Sequence, residues 1–81
     1  MGKFTKAMAF DTGDKVIRFT PDELNEKVSV TCYRSTKIMP RGRAIKLYIE
    51  AMSACDPRSN EFSRYLLIVT QLLSRKQTVS D

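Results

Sequence analysis

The hydrophobic period of this chain changes at Pro40. Before it, apolar residues tend to alternate; after it, they recur at three- and four-residue spacing. A sheet-forming first half and a helical second half point to an α+β architecture. In the second half, Ala44, Ile45, Leu47, Tyr48, Ala51, Met52 and Cys55 make a broad apolar face opposite Lys46, Glu50 and Ser53. That pattern predicts a helix over about 40–55. Asp56-Pro57 ends it, because a residue preceding proline avoids the α region. Ser59 is placed to cap a second helix over about 59–76, with Glu61 near its positive end. Phe62, Tyr65, Leu66, Val69, Leu72 and Leu73 form its apolar face. The short connection predicts an antiparallel helical hairpin, and residues 77–81 read as a frayed tail.

The first half reads as strands over about 3–33. Phe4, Met8 and Phe10 lie on one side of an alternating segment, DTGDK supplies turn residues, and KVIRFT follows with β-branched positions. Gly13 suits the positive φ of such a turn. Thr20-Pro21-Asp22-Glu23 has the form of a helix start, yet KVSVTC alternates strictly. The alternation is the stronger signal. It predicts at most one helical turn at 21–26 and a third strand at 27–33, with Val28, Val30 and Cys32 facing inward. The expected fold is a β-hairpin or three-stranded antiparallel sheet packed on a C-terminal helical hairpin, as a single domain spanning 1–81.

With 81 residues, 42% of them hydrophobic, the core is small. Such a core supplies roughly 3–5 kcal/mol without further support, which makes a homodimer sharing its core a natural remedy. No apolar leader or membrane-length stretch occurs, and Lys6 stands where a myristoylation motif after Met1-Gly2 needs Ser or Thr. The chain is expected to be cytoplasmic, with no membrane partner. Cys32 and Cys55 stand alone without histidine, so buried free thiols are expected rather than a disulfide or a metal site, and no cofactor is expected. Histidine, the commonest general base, is missing, and the glycines are too scattered for a phosphate loop. Enzymatic chemistry is not expected.

Charge narrows the remaining functions. Residues 1–33 carry equal numbers of cations and acids, so the net charge of +5 belongs to residues 34–81. Arg34, Lys37, Arg41, Arg43 and Lys46 fall within thirteen residues, between the strands and the first long helix. They are the candidate site, either for phosphate oxygens of nucleic acid or for an acidic protein surface. A solvated basic connection explains the same residues equally well. The expected function is a small accessory or regulatory protein that binds nucleic acid through 34–46. The alternative is a modulator of a host complex, of phage or plasmid type, using the same surface.

Two resemblances add to this. KVIRFT, then PDELNEKVSVTCYRST, then PRGRAIKLYIEAM is similar in order to a ribbon–helix–helix DNA-binding protein. That likeness implies a strand in the major groove and a helix N-terminus on phosphate, with Arg18 and Thr20 toward bases and Arg41 and Arg43 at phosphates. RAIKLYIEAMSACD followed by EFSRYLLIVTQLLS resembles small proteins carried on mobile elements of Gram-positive bacteria. This second likeness implies a related fold in the C-terminal half and no site.

Overall fold

The computed structural model describes residues 3–81, so the Met1-Gly2 start and its reading lie outside the described residues. The order is β1 (Met8–Asp11), β2 (Val16–Phe19), α1 (Pro21–Asn25), β3 (Lys27–Cys32), β4 (Ser35–Pro40), α2 (Arg41–Ser53), α3 (Asn60–Leu73) and β5 (Thr78–Ser80). The fold is α+β, with a β-hairpin, a small sheet and a C-terminal helical pair.

β1 and β2 form a two-stranded antiparallel ribbon with Met8 opposite Phe19 and Phe10 opposite Ile17. Gly13 takes φ 94° in its loop, where any side chain would be strained. α1 is one capped turn. The Thr20 hydroxyl accepts from the Glu23 N–H, and the Glu23 carboxylate accepts from the Thr20 N–H. The capping signal and the alternation are therefore both right, each for its own segment. A ribbon–helix–helix arrangement would need helix across 21–33, where the chain is instead extended from Lys27 onward.

The third strand does not join the N-terminal hairpin. β3 pairs antiparallel with β4 and parallel with β5, giving a mixed sheet of order β4-β3-β5. Two segments read otherwise from the sequence are strands. Residues 35–40 are β4 rather than a connection, joined to β3 through Tyr33 and Arg34, both at positive φ (52° and 68°). Two positive-φ residues make the tight turn that suits a hairpin's twist, normally built from Asn and Gly, so the usual turn signal is absent. The supposed tail contains β5, whose Val79 is fully buried beside Val30.

The core lies between the inner face of this sheet and the helical pair. Phe19, Leu24, Val28, Val30, Met39, Ala44, Ile45, Tyr48, Ile68, Val69, Leu72 and Val79 are buried, and Cys32 packs partly against them. The buried stripe of α3 is Ile68, Val69 and Leu72; Leu66, expected on that face, is 45% exposed. Its position lies to one side of the line that meets α2 and the sheet.

Candidate nucleic-acid interface

The five predicted cations do not form one surface. Arg34 occupies the tight turn at the far end of β4, roughly 20 Å from Pro40 at about 3.3 Å per strand residue. Arg41 is 1% exposed and faces inward. Its Nη1 donates to the Leu72 carbonyl oxygen at 2.9 Å and its Nη2 to Glu26 Oε1 at 3.3 Å. Arg41 therefore belongs to the interior as the first residue of α2, where the sheet and the end of α3 close over it. A charged head so enclosed needs partners, and it has two, the Leu72 carbonyl and the Glu26 carboxylate, although its Nε has none among the described residues.

Arg43 and Lys46 are exposed on α2, one turn apart. Together with Lys3, Phe4, Asn25, Lys27 and Pro40 they line an open hollow of about 530 Å³ that contains no carboxylate. Lys3 and Lys27 were not among the expected residues, because nothing in their local sequence marks them. They arrive through the fold. The Asn25 amide holds the Phe4 backbone with two bonds: the Phe4 N–H donates to Oδ1 at 2.8 Å, and Nδ2 donates to the Phe4 carbonyl oxygen at 2.8 Å. Phe4 then lies against Gly42, where an added Cβ would sit 2.7 Å from the ring and 3.1 Å from Leu24. Gly42 is thus the close-approach point that lets the N-terminal segment rest on α2. Lys46 Nζ is 5.4 Å from the centre of the Phe4 ring.

Lys37 stands on the other side of Arg43. It shares with Arg43, Ile38, Met39 and Leu47 a second open groove, between β4 and α2. The cations that do form ion pairs among the described residues are Arg41, Arg64 and Arg75, joined to Glu26, Asp81 and Glu23. Lys3, Lys27, Lys37, Arg43 and Lys46 are not in these pairs. The electrostatics of α2 point the same way: its first turn carries no acid and Pro40 offers no capping side chain. The positive end of the helix dipole and the basic residues thus add to one another.

A third recess, lined by Cys32, Tyr33, Ser35, Lys37, Leu47, Tyr48, Ala51 and Tyr65, separates the Arg34 turn from this surface. Burial pushes the Cys32 thiol up, with the Asp81 charge adding to the effect. Both cysteines are free. Among the described residues no helix is long and apolar enough to cross a membrane.

No family model, no curated protein and no solved structure matches this chain.

Proposed function

We propose that this chain is a small non-enzymatic accessory or regulatory protein that binds the phosphate backbone of nucleic acid. The contact surface is the hollow formed by Lys3, Lys27, Arg43 and Lys46, with Lys37 at its margin. One observation carries the reading: cations from the N-terminal segment, β3 and α2 converge on a concave surface with no carboxylate in its lining. Intramolecular charge balance does not account for that convergence, and phosphate oxygens spaced along a strand fit it. Phe4 is the only aromatic among the described lining residues and its ring packs against Gly42, so contact with the backbone rather than stacking of successive bases is favoured. Two free thiols suit a cytoplasmic setting.

Mapping amide shifts on addition of a random duplex and of a random single strand tests this. Perturbations should centre on Lys3, Phe4, Lys27, Arg43 and Lys46 and leave Arg34 unmoved. Shifts centred on the Arg34 turn, or none at low salt, would overturn the assignment.

A further inference from the structure

The two edges of the β4-β3-β5 sheet are finished differently. In β3 the backbone groups of alternate residues point to opposite neighbours. The Ser29 N–H donates to Gln77 and the Thr31 carbonyl accepts from Asp81, so the odd positions serve β5 and the even positions serve β4. The Arg41 N–H bond to the Glu26 carbonyl oxygen, 2.8 Å, continues the same phase beyond the strand. On β5, Ser80 therefore points its N–H and C=O away from the sheet, and the Gln71 side chain takes both. Gln71 Nε2 donates to the Ser80 carbonyl oxygen at 2.7 Å, and the Ser80 N–H donates to Gln71 Oε1 at 3.4 Å. That edge is closed by an amide that imitates a neighbouring strand.

β4 has no such closure. Ser35, Lys37 and Met39 stand opposite Cys32, Val30 and Val28 and spend their backbone bonds on β3. Thr36 and Ile38 turn theirs outward, and among the described residues no side chain takes them. Ile38 is 70% exposed, the most exposed of the large hydrophobic residues among the described residues. The groove beside this edge is walled by Lys37 and Arg43 and floored by Met39 and Leu47, with no acid.

We propose that the β4 edge accepts an extended acidic peptide as a fourth strand, antiparallel or parallel to β4. The chemistry of the edge dictates the occupant's pattern. Ile38 and Thr36 lie on the outer face of the sheet, and Lys37 lies on the inner face toward α2. An added strand presents alternate side chains to those two faces. Apolar residues of the peptide therefore pack beside Ile38, and carboxylates fall between them toward Lys37 and Arg43. The same cations disfavour a second copy, because self-pairing would bring two Lys37 side chains and two Arg43 side chains to one seam. An inward-facing lysine on an edge strand is a known guard against self-association. This inference shares Lys37 and Arg43 with the proposed nucleic-acid surface but is distinguished from it by requiring the Thr36 and Ile38 backbone and not Lys3 or Lys27.

The test uses a fluorescein-labelled octapeptide of alternating Glu and Val, with alternating Lys and Val as the control, by anisotropy and by amide hydrogen exchange. The Glu-Val peptide should bind and slow exchange at Thr36 and Ile38, and the Lys-Val peptide should do neither. Ile38→Pro deletes an outward N–H that β3 does not use, so the sheet tolerates it, and binding should fall about tenfold or more. Should that variant fail to fold by circular dichroism, Lys37→Glu should produce a loss of similar size by reversing the charge. Unchanged exchange at Thr36 and Ile38 under saturating peptide, or full binding by both variants, would overturn the proposal. So would protection of these two amides by protein concentration alone, which would assign the edge to a second copy. Protection by nucleic acid and not by the peptide would assign it to the phosphate-binding surface instead.

Discussion

Arg41 Nη1 lies 2.9 Å from the carbonyl oxygen of Leu72, so the first residue of α2 is tied to the last turn of α3. That carbonyl is one of the acceptors a helix leaves unused at its end, and it also takes the Arg75 N–H at 3.2 Å. The contact makes Arg41 a structural residue. Arg41→Ala should cost about 2–4 kcal/mol, from lost packing and lost charge-assisted bonds. Arg41→Met should cost less, because Glu26 is half-exposed and regains water. Denaturant melts measure both. A neutral Arg41→Ala, with weakened nucleic-acid binding, would return this residue to the surface.

The buried stripe of α3 sets a second expectation. Ile68→Ala should cost about 2–4 kcal/mol, since Ile68 is fully buried. Leu66→Ala should cost under about 1 kcal/mol because nearly half of that side chain is in water. Equal losses at the two positions would show that Leu66 is covered in solution.

Acid should weaken the fold through carboxylates held below their ordinary range, Glu23 and Asp81 among them. The Arg75 guanidinium, followed by the Thr20 N–H, holds Glu23 below the usual carboxylate range. The Tyr33 N–H does the same for Asp81, and together with Arg64 it outweighs the opposing effect of desolvation. Groups whose folded pKa is depressed stabilise the fold above their unfolded value, and that stability is lost as pH falls through the folded one. Melting temperature should therefore stay level down to about pH 5 and drop below about pH 4. Glu23→Gln and Asp81→Asn should each flatten the drop. A fall that the double variant leaves unchanged would point to other acids.

The Tyr33-Arg34 turn offers a stabilising change. Arg34 has φ 68°, a region that glycine occupies without a steric cost. Arg34→Gly should raise stability by about 0.5–1 kcal/mol, read as a higher denaturation midpoint. Nucleic-acid affinity should fall little, because Arg34 lies far from the hollow.

How much of this was legible in the sequence depends on where each signal resides. The helical pair is local: periodic apolar residues, Asp56-Pro57 and the Ser59 cap, whose hydroxyl does accept the Phe62 N–H at 3.2 Å, lie within a few residues of one another. The strand at 27–32 was legible because Val28 and Val30 alternate with polar residues. β4 was not, because its inner face is Ser35, Lys37 and Met39, with one apolar side chain among three, and because its turn has neither Asn nor Gly. β5 escaped because a three-residue strand gains its identity from a distant partner, β3. The site divides the same way. Arg43 and Lys46 lie one turn apart on one helix, so their proximity is legible; Lys3 reaches them through the Asn25–Phe4 bonds and the Gly42 contact, and Lys27 through the pairing that sets it opposite Pro40. Arg41 was misplaced because charge density in sequence says nothing about which face a helix turns inward.

The slope of binding affinity against salt tests the central claim most directly. Wild type and a Lys27→Gln/Arg43→Gln/Lys46→Gln variant would be titrated with random duplex and single strands at several salt concentrations. Each phosphate contact releases counterions, so log affinity should fall linearly with log salt for the wild type. The variant, folded as judged by its melt, should bind more weakly to all sequences, with the slope reduced by roughly one per lost contact. Salt-independent binding by the wild type, no binding at low ionic strength, or an unchanged slope in the variant would contradict the account.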